Sequence, residues 1–265
     1  MGLDPLHSLE EARAREIIPE KVYSRVMERY RYVSEGIARV ERASGIGYPE
    51  YYIEPRMVVA ESEYGLGLMF ARTIPVVRGE DGYGYGYGYG YGGEGRLSIV
   101  VQVTAALVAY GLKGTIHAIL AHEFLHYIEL LSRFVRMDVL SDEVTSSIFE
   151  GVYADMGRLV EPSIALRGDR ALIRLIARKF NDGLSDRRLE DKCLREWIDK
   201  GLPTARITPE ENIARIPIEA IASLNIDEGL RGKIYEFISA SSNGRGRRRK
   251  KGEYGIHRDE GRRRG

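Results

Sequence analysis

The chain is short of several things, and each shortage excludes something. It carries one cysteine, Cys193, in 265 residues, so no disulfide framework within the chain can hold it together. Gln102 is its only glutamine, and 8 lysines stand against 32 arginines. Few thermolabile amides beside 30% charged residues fit a protein from a hot habitat, although an arginine preference is equally a mark of genomic composition. No run of eighteen apolar residues occurs, so no transmembrane helix is expected. The opening Met1-Gly2-Leu3-Asp4-Pro5-Leu6-His7 lacks the basic start and apolar block of a secretory signal, which makes cytoplasmic residence the default expectation. At this length one large or two small domains can form a sizeable core.

Net charge is close to balance at +1, but the balance hides an asymmetry. Residues 243–265 hold ten Lys/Arg and three Asp/Glu, while the other 242 residues hold 30 and 36. An acidic body therefore carries a basic tail. The tail has almost no apolar residues and is expected to be disordered. Its charge suits nonspecific nucleic acid or an acidic partner, and equally a solubilising role.

The densest chemistry lies in His122-Glu123-Phe124-Leu125-His126. Residues four apart share a helical face, so both imidazoles can reach one metal ion, and the adjacent glutamate can meet a water on that metal as general base. The surrounding Gly114–Leu131 has no proline and is apolar on all sides, which predicts a helix buried on most faces, with Thr115 as its N-cap. Buried imidazoles need partners, and a metal supplies them. The alternative is an ordinary buried helix whose histidines bond to backbone carbonyls. His117, five residues before His122, reads as structural.

A catalytic zinc keeps three protein ligands and one open position. No third histidine follows at short range, since His257 is the next. A carboxylate remains, from Glu129, Asp138, Asp142, Glu143, Glu150 or Asp155. Ser141–Val160 reads as a helix in which Asp142 and Glu143 complement the dipole of the first turn. Glu150 is mid-helix without a cation three or four residues away, and small residues around it permit close approach, so it is the choice, against a solvent-facing glutamate; Glu143 is the fallback. Glu129 lies two turns from His122, about 10.5 Å along the axis, which suits a supporting or surface role. Asp155 could hold the far nitrogen of a ligating histidine, or pair with Arg158.

His122-Glu123-x-x-His126 followed by Phe149-Glu150-Gly151-Val152-Tyr153-Ala154-Asp155 resembles the gluzincin class of zinc metallopeptidases over roughly residues 50–160. The resemblance implies a zincin-like core and zinc-dependent hydrolysis of peptide bonds, with His122, His126 and Glu150 on Zn²⁺ and Glu123 as base. The competing expectation is a non-catalytic, zincin-like metal-binding protein whose tail docks on nucleic acid or an acidic partner.

An α+β fold is expected. Residues 1–48 read as a helical segment, with two helices in 9–42 broken at Pro19. Residues 49–162 form the catalytic core, with strands in Tyr51–Glu61, Leu66–Val77 and Arg96–Val103 making one small sheet before the motif helix. Between the last two lies the Gly-Tyr repeat of 82–93, a low-complexity hairpin tip or an aromatic flap. Residues 163–242 read as all helical, in Asp169–Phe180, Asp186–Lys200, Pro209–Leu224 and Asp227–Ser241, with Trp197 and Cys193 packed in the core. The basic tail is 243–265.

Overall fold

Three helices open the chain: α1 (His7–Ala14), α2 (Glu20–Arg29) and α3 (Arg31–Ser44). The computed structural model describes residues 3–62, 65–78, 96–136, 160–180, 183–207, 223–224 and 226–253. Pro19 does precede α2, where its fixed φ suits a helix entry, but a second break at Tyr30 makes three helices where the periodicity suggests two. α3 buries Val33, Gly36, Val40 and Ala43, one stripe at helical spacing. It ends at Gly45, whose φ of +69° is the left-handed cap that glycine adopts without cost.

Five strands follow: β1 (Glu50–Glu54), β2 (Met57–Ser62), β3 (Gly65–Met69), β4 (Ala71–Arg78) and β5 (Arg96–Thr104). They do not form one sheet. β1, β5 and β4 make the first, in that order, with β1 parallel and β4 antiparallel to β5. β2 and β3 form a hairpin in the second, completed by β6 (Thr204–Ile207) running parallel to β2. β6 comes from the stretch read as all helical. Its four residues are too few for periodicity to reveal, and it exists because β2 offers it a partner.

Gln102 explains itself in the first sheet. Its register neighbours are Arg72 on β4 and Tyr52 on β1. Arg72 Nε donates to Gln102 Oε1 at 2.6 Å, and Gln102 Nε2 donates to Tyr52 Oη at 2.6 Å and Glu54 Oε2 at 3.0 Å. Glu54 in turn takes Arg56 Nε at 2.7 Å. A buried residue between a donor and two acceptors must carry both functions at its tip, which an amide does.

β5 runs directly into α4 (Ala105–Tyr110), where Thr104 Oγ1 accepts from Leu107 N. Arg25 and Arg29 of α2 donate to the carbonyls of Ala109, Val108 and Gly111, so two guanidiniums satisfy the C-terminal end of this short helix. Next comes α5 (Lys113–Arg136), the motif helix. It starts two residues before Thr115, so Thr115 is not its cap; the hydroxyl donates instead to Asp186 Oδ2 at 2.6 Å. Residues 115–125 are all buried, as an apolar surround predicts. One apolar cluster packs the first half of α5 against α1, α2, α4 and the sheets; another packs its second half against the end of α3 and the later helices.

Those later helices are α6 (Pro162–Ala165), α7 (Arg170–Lys179), α8 (Arg187–Cys193) and α9 (Glu228–Glu253). α8 continues as a π-helical turn, Leu194–Ile198. Cys193 and Trp197 are fully buried, and the indole donates to Pro203 O at 2.9 Å. α9 is helical through Glu253, into the stretch expected to be disordered from 243; its first half docks through buried Ile234 and Phe237 and gives the rest a helical start to propagate from. The Gly-Tyr repeat of 82–93, the expected helix 141–160 apart from Val160, and most of Pro209–Leu224 lie outside the described residues. Among the described residues no helix is long and apolar enough to cross a membrane.

Candidate metal centre

The motif sits where the two apolar clusters meet, about midway along α5. One turn of helix puts His122 and His126 on the same face with their Nε2 atoms 3.1 Å apart and rings perpendicular. Two bonds of about 2.0–2.1 Å from these nitrogens to one cation would enclose an angle of roughly 100°, close to tetrahedral. Without a cation, the same separation is a hydrogen bond between neutral imidazoles. Burial holds both rings neutral: His122 falls to about 3, with His126 as a further cause, and His126 to about 4. Neutral imidazole is the form that ligates metal. His126 Nδ1 is buried with no hydrogen-bond partner among the described residues, so none of these supplies the second bond that normally orients a ligating histidine.

Glu123 turns from that pair toward β4. Thr73 Oγ1 lies 2.9 Å from Glu123 Oε2 and 2.9 Å from Glu123 O, and its single proton serves one of them at a time. Burial raises the Glu123 carboxyl from its ordinary 4.5 to about 7, opposed by the Thr73 hydrogen bond and by the charge of Arg72. β4 pairs only with β5 among the described residues, and Pro75, which has no N–H to offer, stands in it opposite Ile99. An edge strand thus runs beside the glutamate.

Phe180 closes the other side. Its ring stacks on His122 with centroids 3.9 Å apart and planes 9° from parallel. The segment that carries it is tied down on both flanks. Phe180 bridges Leu184, Ser185 N donates to Lys179 O at 2.7 Å, and Asp186 receives both Lys179 Nζ and the Thr115 hydroxyl at 2.6 Å. Nothing in the sequence signals this contact, because 58 residues separate Phe180 from His122. Thr73 left only a faint signal, a lone hydroxyl in a strand of mostly apolar residues flanked by Arg72 and Arg78.

The other candidates fall into two groups. Glu129 pairs with Arg133 Nε at 3.2 Å, one turn further along the same helix. His117 packs between α3 and α5, apart from the pair, with Gly36 giving it room. Glu150, its fallback Glu143, and Asp155 lie outside the described residues, as do Asp138 and Asp142. Among the described residues no three His, Cys, Asp or Glu side chains converge as a metal site. The two imidazoles fit zinc in donor type and spacing, and a catalytic zinc held by them would need a third ligand that the described residues do not supply. No family model, curated protein or solved structure matches this chain.

Proposed function

We propose that this protein is a zinc-dependent peptidase of gluzincin type with a zincin-like core. The observation that carries the reading is the 3.1 Å approach of two neutral imidazole nitrogens on one helix face, with the buried carboxyl of the intervening Glu123 turned to an edge strand. His122 and His126 would hold the metal, with Glu150 as third ligand, Glu143 as its fallback, and Asp155 supporting a histidine. Zinc bound there supplies charge that polarises a scissile carbonyl and acidifies a water molecule.

Glu123 does the proton work. Its carboxylate accepts a proton from the attacking water and returns it to the leaving amine. Thr73, by donating to Oε2, orients the carboxylate and leaves the other oxygen for that transfer. β4 suits a peptide substrate, since an extended chain added along a sheet edge gains main-chain hydrogen bonds and would pass Glu123. A metal held only for structure needs no carboxyl buried beside it, and burial of that group opposes its ionisation.

Zinc titration of metal-stripped protein, with digestion of a peptide library, tests this. One equivalent should bind, H122A, H126A and E150A should each lose it, and E123Q should keep zinc while losing cleavage. Failure to bind zinc, or undiminished cleavage by E123Q, would remove the reading. Retention of zinc by E150A would move the third ligand to Glu143.

A further inference from the structure

α9 has two halves of opposite character. Residues up to 240 dock: Ile234 and Phe237 are buried, Lys233 donates to Gly45 O at the end of α3, and Tyr235 Oη donates to Val135 O of α5 at 3.5 Å. From Ser241 to Glu253 the helix continues without one apolar residue. Thirteen residues extend it by about 20 Å. Six of the seven residues from Arg245 to Lys251 are cations.

We propose that this half of α9 is a DNA-binding arm that lies in the major groove of duplex DNA and holds its phosphates, independently of the metal centre. Three features select the occupant. Lacking apolar residues, the segment has nothing to bury in a protein groove or a bilayer. At about 100° per residue, positions 245, 247, 248, 249, 250 and 251 leave no sector wider than about 100° without a cation. A flat acidic surface meets one side of a helix, whereas a major groove about 12 Å wide flanks a helix about 10–12 Å across with phosphates on both sides. The third feature is the helix's own instability. Arg245/Arg248, Arg245/Arg249, Arg247/Lys250, Arg247/Lys251 and Arg248/Lys251 are like-charged neighbours at three- or four-residue spacing, and Gly244, Gly246 and Gly252 lower helix propensity. A polyanion relieves that repulsion. With no aromatic residue between Ser241 and Glu253, the arm has no base-stacking surface, so binding should be indifferent to sequence.

The test is fluorescence anisotropy of the full chain on two unrelated 30-base-pair DNA duplexes, with duplex RNA, polyglutamate and phosphatidylserine vesicles as competitors. Both duplexes should bind equally, with a log–log salt slope near −5, an affinity loss of about a thousandfold between 50 and 200 mM salt. Replacing Arg247, Arg248, Arg249 and Lys250 with glutamine should reduce the slope to about −2 and weaken binding at least a hundredfold at 100 mM salt. Circular dichroism should show that variant folded, since the changes lie beyond the docked half. A wild-type slope shallower than −2, unchanged affinity in the variant, or tighter binding to any of the three competitors would overturn the proposal.

Discussion

Replacing Glu123 with glutamine should stabilise the metal-free protein, and the gain should grow with pH. The carboxyl is buried beside Thr73 and titrates near 7 in the fold against an ordinary value of 4.5. The folded chain therefore keeps a proton that the unfolded chain has released. Between those two values folding takes up a proton, so stability falls as pH rises, and above 7 the whole cost of burying the anion is present. At 1.36 kcal/mol per pH unit the full cost is about 3 kcal/mol, of which about 2 kcal/mol develops between pH 5.5 and 8.5. Glutamine keeps the shape and an acceptor for Thr73 but does not ionise. Any pH-independent cost of its buried amide cancels when the two pH values are compared. Urea unfolding of both chelator-treated proteins, followed by circular dichroism, measures the difference. A wild-type-to-variant gap that stays constant or narrows as pH rises would refute the placement of this carboxyl in a site that disfavours its charge.

The histidines respond in the opposite sense: His122 and His126 are neutral in the fold down to about 3 and 4, while the unfolded chain protonates near 6.5. Their contribution to metal-free stability should be complete above pH 6.5 and fall below it, by about 2 kcal/mol per histidine at pH 5, measured in E123Q, where the opposing carboxyl titration is absent; no loss of E123Q stability on acidification would contradict this. Phe180→Ala removes the ring stacked on His122 and should weaken zinc binding by about 10–100-fold, as loss of an orienting neighbour does, with Phe180→Leu in between. Equal zinc affinity in all three proteins would show that Phe180 does not position His122. Gly36→Ala would place a methyl 2.8 Å from Leu120 Cδ1 and 2.9 Å from His117 Cδ2. Overpacking of about 1–3 kcal/mol should exceed the roughly 1 kcal/mol gain in helix propensity, so the melting temperature should fall by a few degrees. A rise would mean that α3 and α5 are less tightly packed than these distances require.

Local pattern carried much of the architecture. The apolar surround of 115–125 announced a buried helix, and helical spacing alone brought His122 and His126 to one face, with Glu123 about 100° round the helix from His122, because four residues make about one turn in any sequence. Strand-forming runs before that helix and periodic segments after it were equally readable, as was the burial of Trp197 and Cys193. What chain pattern could not supply is everything made by residues distant in sequence. Two sheets instead of one, the parallel pairing of β6 with β2, Thr73 on the carboxyl of Glu123, Phe180 on the ring of His122, and Gln102 between Arg72 and Tyr52 all depend on which surfaces meet. Periodicity records which face of an element is apolar. It does not record what covers that face, and partner choice is settled by packing and by the requirement that buried polar groups be satisfied, both of which exist only once the chain has folded.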